Sequence, residues 1–170
     1  MSTKFAGANA QNGTATGIGI SEGNAKETAT LLNELLADEF VLYTKTRNYH
    51  WNVEGMEFGQ LHKFFEDQYG QLEEIVDEAA ERTRMLGHYA LGSLTQFSKL
   101  TRLTEGQDAS NAQKMLQNLL DDHATIIRVL REQIPVVSDK YKDLGNADFM
   151  TRILEEHEKM SWMIRAHLKG

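Results

Sequence analysis

Five residues in the first half of this chain carry side chains that ligate iron or zinc: His50, His62, Glu66, Asp77 and Glu81. The last four fall on a single predicted helix. Taking His62 as origin, the offsets of 0, 4, 15 and 19 residues place them near 0°, 40°, 60° and 100° at about 100° per residue, so they share one face. A rise of about 1.5 Å per residue puts the midpoint of Asp77 and Glu81 roughly 22 Å along the axis from that of His62 and Glu66. Metal–ligand bonds are only about 2 Å long, so one metal ion cannot be reached by both pairs of a single chain. Both pairs can serve one site if two copies of the helix run antiparallel across a twofold axis, which yields two identical sites per dimer.

The chain that must position these residues has 170 residues, enough for one domain with a substantial core. With 41% apolar and 25% charged residues it reads as a globular domain. It contains a single Pro and no Cys. Disulfides, thiolate sites and thiol nucleophiles are therefore excluded, and any metal must be held by His and carboxylate. The lack of Cys fits a reducing cytoplasm, and a cytoplasmic location is expected. No apolar run approaches the roughly 20 residues that span a bilayer, so no membrane partner is expected, and the N-terminus lacks the zones of a signal peptide. The formal charge of −7 (18 minus 25) disfavours nucleic acid as a partner and suits capture of cations.

Residues 1–23, rich in Gly, Ala, Ser, Thr and Asn, read as a flexible tail ahead of one folded domain at 24–170. Helical periodicity predicts a first long helix capped by Asn24, with Glu27 completing a capping box, and ending near 51–55. A second runs from Glu57 to Leu86 with Gly87 as its stop. The connection over 88–109 holds a short helix around Leu94–Leu100. A third long helix opens at Ser110, with Gln113 as its capping partner, and kinks or ends at Pro135. A fourth is capped by Asn146. Four long helices with a long middle link define an all-α, four-helix bundle with one crossover.

Bundles that hold two irons within one chain use Glu-x-x-His pairs. The residues three before the six histidines are Arg47, Gly59, Met85, Leu120, Leu154 and Ile164, none of them Glu, so an intrachain di-iron site is not supported. Gly-rich phosphate loops, His-Glu-x-x-His and Gly-x-Ser-x-Gly are also missing.

The stretch His50-Trp51-Asn52-Val53-Glu54-Gly55, followed by Leu61-His62 and Glu66, then Asp77, Ala80-Glu81-Arg82 and Leu86-Gly87, resembles the signature of Dps proteins (DNA-binding proteins from starved cells). The resemblance covers residues 25–168. It implies a ferritin-like four-helix bundle with a short helix in the middle connection, assembling into a hollow homododecamer. Such cages oxidise Fe(II), usually with hydrogen peroxide, and store the ferric mineral inside. His50, His62 and Glu66 would come from one subunit and Asp77 and Glu81 from its twofold partner, in agreement with the helix geometry. Iron is then the metal expected, with zinc a possible substitute. Glu66 stands where the family often has Asp, and Ala79 where a larger aliphatic is common.

Each residue also has a plainer reading. His62, Glu66, Asp77 and Glu81 on spacing alone could form the solvated face of a charged helix. Trp51 is expected to pack at an interface, or else to donate electrons beside the iron site. His88, His123, His157 and His167 read as core or surface histidines without carboxylate partners at useful spacing, and the Met residues as core fillers. Asp121 and Asp122 could line a cation pore, and Glu73 and Glu74 could help nucleate mineral, although acidic helix residues ordinarily only solubilise. DNA binding is expected to be weak or absent: the basic side chains near the termini are Lys4, Lys26, Arg165 and Lys169, and a dodecamer would carry about −84, twelve times −7. The rival expectation is a non-enzymatic cage or DNA-compacting protein whose metal site is structural.

Overall fold

In the computed structural model, residues 16–106 and 109–169 are described. Five α-helices follow in order: α1 Glu22–Asn52, α2 Phe58–Met85, α3 Leu94–Leu100, α4 Ala112–Pro135 and α5 Leu144–Leu168. A π-helical turn, Val136–Lys140, joins the last two. α1 packs on α2 and α4 on α5, and α3 lies against α1. The architecture is the all-α bundle with a middle crossover that the periodicity predicts. Of the expected tail, residues 1–15 lie outside the described residues. None of the described helices is long and apolar enough to cross a membrane.

The helix starts differ from expectation because other side chains take the caps. Ser21, not Asn24, opens α1, its Oγ accepting from the Asn24 backbone N–H at 3.2 Å. The Asn24 amide instead donates to the Tyr141 carbonyl at 3.0 Å, pinning the start of α1 to the α4–α5 connection. Asn111 caps α4 through the Lys114 N–H at 2.9 Å, one residue past Ser110. Asp143 caps α5, accepting from the Asn146 N–H at 3.1 Å and from its side-chain amide at 2.6 Å. Pro135 is the last residue of α4, and the chain then widens into the π turn, closed by Tyr141 N–H to Val136 O at 3.0 Å. Gly55 (φ 112°) and Gly87 (φ 85°) sit where the chain leaves α1 and α2 in conformations that favour glycine.

The core lies along the bundle axis, with Leu35, Leu36 and Leu42 from α1, Phe65, Leu72 and Ile75 from α2, Leu119, Ile126 and Leu130 from α4, and Met150, Ile153 and Ile164 from α5. Met115 and Met160 are buried with them, as expected of core fillers, whereas Met56 and Met85 are exposed. The crossover is tied down by polar contacts. Asp38, fully buried, accepts from Thr101 Oγ1 at 2.9 Å, from the Arg102 backbone N–H at 2.7 Å and from Arg102 Nε at 2.7 Å. Phe97 stacks on Phe40 with centroids 4.3 Å apart. Lys45 Nζ reaches Asp122 Oδ2 at 2.6 Å and the Thr104 carbonyl at 2.7 Å. Asp122 is thus a buried anion paired within the subunit, which removes it as a pore-lining residue; Asp121 is exposed.

Candidate metal centre

α1 and α2 run antiparallel around the short turn at Gly55, and this places His50, near the end of α1, beside His62, in the first turns of α2. The rings stack with centroids 3.8 Å apart and planes at 21°. Each ring nitrogen Nδ1 lies 2.8 Å from the other residue's backbone carbonyl: His50 Nδ1 from His62 O, and His62 Nδ1 from His50 O. A carbonyl can only accept, so both Nδ1 atoms carry the hydrogen, and in the neutral rings both Nε2 atoms keep their lone pairs. That is the tautomer that ligation through Nε2 requires, held by the kind of outer hydrogen bond that orients ligating histidines. His50 is 8% exposed. Tyr69 meets its ring edge-on at 5.2 Å, and Phe58 stacks on His62 at 5.1 Å.

Glu66, one turn beyond His62, is the third ligand candidate on this side. Its carboxylate accepts from Lys63 Nζ at 2.9 Å, and the same ammonium reaches Asp67 at 2.8 Å. The Lys63 hydrogen bond and charge hold the Glu66 carboxyl below its ordinary range, and the nearby His50 adds to the effect. Trp51 is 64% exposed at the surface, with the Arg47 guanidinium 5.6 Å above its ring. Arg47 also lies 5.2 Å from the Tyr69 ring and donates to the Tyr43 hydroxyl.

Asp77 and Glu81 are exposed, three to four turns further along α2. The fold therefore brings His50 and His62 into contact, with Glu66 one helical turn beyond, and leaves Asp77 and Glu81 elsewhere, with helix geometry separating the pairs by roughly 22 Å. Among the described residues, no three His, Asp or Glu side chains of one chain are arranged to hold a metal ion.

Sequence reasoning missed several partners. Lys63 was open to it, at i−3 from Glu66, and so was Tyr69, two turns after His62. The reciprocal carbonyl bonds were not, since they depend on the register of α1 against α2. Of the other histidines, His123 and His157 are buried in the core, and His157 has a carboxylate neighbour after all, Glu39 of α1. The two are 118 residues apart, beyond any local pattern.

The sequence matches the ferritin-like domain family over residues 29–170. It is 32% identical to a DNA protection during starvation protein of Helicobacter pylori, over 84% of this chain and 99% of that protein. It is 41% identical to a low temperature-induced protein of Nostoc, over 90% of this chain and 86% of the relative. Among solved structures, the Dps protein of Vibrio cholerae, described as a member of a broad superfamily of ferritin-like diiron-carboxylate proteins, superposes with a TM-score of 0.86 at 32% identity, covering 95% of this chain and 99% of that one. The class is thus that of ferritin-like helical bundles. Within it, the chain belongs to the Dps family.

Proposed function

We propose that this protein stores and detoxifies iron, oxidising Fe(II), with hydrogen peroxide as the preferred oxidant, at sites shared between subunits of a hollow dodecamer. It would thereby protect the cell, in the cytoplasm, from oxidative damage. The observation that carries this reading is the pair of 2.8 Å Nδ1–carbonyl bonds that leave His50 Nε2 and His62 Nε2 free together. Family membership supports iron chemistry, and the axial distance between the two ligand pairs supports a site completed by Asp77 and Glu81 of a twofold partner.

In this reading Fe(II) is the substrate. Neutral imidazole nitrogen and carboxylate oxygen suit Fe(II), and the carboxylates favour the more highly charged ferric product. Peroxide takes one electron from each of two Fe(II) ions. Its O–O bond breaks, and with two protons both oxygens leave as water, so no hydroxyl radical is released. Lys63 engages one oxygen of Glu66 and competes with a metal ion for its charge, a competition that a divalent cation would win over a monovalent one. Trp51, exposed beside the site, packs at the subunit interface in this reading. Glu73 and Glu74, exposed on α2, would in this reading offer carboxylates to mineral. DNA contact is no part of the proposal, given the net charge of −7.

The test adds Fe(II) anaerobically to metal-free protein, then follows ferric absorbance after peroxide, with particle mass measured on the same sample. Rapid oxidation by a particle of about twelve subunits is expected, with iron kept soluble. His50→Ala combined with His62→Ala should lower the initial rate by about 10²-fold or more while leaving the particle mass unchanged. An unchanged rate in that double variant would refute the site. Metal binding without peroxide consumption would point instead to a structural metal site in a non-enzymatic cage.

A further inference from the structure

Three ionisable side chains from three helices stand in line inside the bundle, away from the metal centre. Glu39 of α1, His157 of α5 and His123 of α4 each have 0% exposure. His157 Nε2 lies 2.9 Å from Glu39 Oε1. The approach is that of an ion pair without the alignment of a hydrogen bond, so it depends on charge. On the other side of the ring, the Nδ1 atoms of His157 and His123 are 2.8 Å apart. There the line stops, since His123 Nε2 is buried with no hydrogen-bond partner.

Two nitrogens at 2.8 Å share one proton: one imidazole donates and the other accepts with its lone pair. The accepting ring is neutral, so this contact tolerates at most one imidazolium. Glu39 can balance that single charge. A second proton would set two N–H groups against each other and leave net positive charge in a dry core, where an unpaired ion is strongly disfavoured. Among the described residues, the other buried charged side chains of the packed helices are engaged elsewhere. From α1, Lys45 is engaged with Asp122 of α4 at 2.6 Å, and Asp38 with Arg102 of the crossover. The buried polar residues of α2 are Gln68 and Thr83, and those of α5 besides His157 are Asn146 and Ser161, all uncharged. Burial, reinforced by the neighbouring His157, holds the proton affinity of His123 well below that of an ordinary histidine.

We propose that Glu39, His157 and His123 form an acid-sensitive latch, which joins α1, α5 and α4 while at most one imidazole is charged and opens the bundle core when both are. The direction follows from linkage. An exposed histidine in the unfolded chain takes its proton near pH 6.5, whereas His123 in the folded chain does not. The stability contributed by neutral His123 is complete above that pH and is lost progressively as pH falls below it. The folded-to-unfolded ratio should drop by up to about tenfold per pH unit for this one proton.

The experiment measures the chemical unfolding midpoint of the full metal-free chain from about pH 7.5 to 4.5, with particle mass at each pH. The wild type should lose stability steeply below about pH 6.5. His123→Asn places a non-titrating amide N–H where Nδ1 stood, and should lose this part of the slope whatever its absolute stability. Glu39→Gln removes the balancing charge, so the folded core can hold neither imidazolium, and the loss below about pH 6.5 should steepen to up to about a hundredfold per pH unit. The His50→Ala, His62→Ala chain should keep the wild-type slope. Equal slopes in wild type and His123→Asn would overturn the latch, as would a slope that vanishes only in the His50, His62 variant. Should His123→Asn fail to fold, Glu39→Gln decides, and an unchanged slope there overturns the proposal.

Discussion

Consider two disabled versions of the chain assembled together, one carrying His50→Ala and His62→Ala, the other Asp77→Asn and Glu81→Gln. The two ligand pairs are separated by roughly 22 Å along α2, so no rearrangement of side chains within one subunit can unite them. Across a twofold axis, a mixed dimer places all the lesions in one of its two sites and leaves the other with a full wild-type ligand set. With random pairing, half of the dimers are mixed and half of their sites are intact, so about a quarter of all sites should function. Co-expression with two affinity tags, followed by sequential capture, isolates the mixed particles. The assay is the initial rate of ferric absorbance after peroxide, normalised to chain concentration. Each variant alone should be nearly inactive, and preassembled particles mixed afterwards should remain so. Mixed particles without recovered activity, or full activity in either variant alone, would refute the shared site.

Lys63→Gln removes the ammonium that occupies Glu66 at 2.9 Å and should tighten Fe(II) binding about two- to fivefold, the scale of an exposed ion pair. The gain should shrink as salt is raised, and anaerobic titration at two ionic strengths would check both. Asp38→Ala takes away the buried acceptor of three hydrogen bonds that hold the crossover. It should cost about 3 kcal/mol, read from the denaturant midpoint. An unchanged midpoint would show that the Phe97–Phe40 stack suffices to hold the link.

The long helices were legible because each buries a stripe repeating near 3.6 residues, a local property. The short helix Leu94–Leu100 was legible too, and Ser93 caps it through the Gln96 N–H at 3.3 Å. The caps of α1 and α5 were not. Asn24 and Asn146 look like caps by type, yet the Asn24 amide is drawn to a carbonyl 117 residues away, and Asn146 is itself the group that Asp143 caps. The same limit applies to the core. Glu39 lies within an apolar stripe and gives no sign by itself that His157 will meet it at 2.9 Å. Metal-ligand candidates were easier, because His62, Glu66, Asp77 and Glu81 share one helix whose geometry is known before the fold is. What that helix could not show is how His50 would be oriented, since its hydrogen bond is to the backbone of α2.

The two halves of the proposed site differ in how they are prepared, and the difference has a consequence for iron chemistry. The histidine half is fixed before any metal arrives: both rings are locked by backbone carbonyls at 2.8 Å, so little ordering remains to be done on binding. The carboxylate half is exposed on α2 and, among the described residues, has no third His, Asp or Glu of its own chain arranged to complete a metal site. A lone subunit would therefore offer Fe(II) two neutral nitrogens and one carboxylate already held by Lys63, a set that binds weakly and favours the ferric state little. Assembly would add two carboxylates at once, raising affinity and the driving force for oxidation together. Under this arrangement, the capacity to reduce peroxide appears only where two subunits meet across the twofold axis.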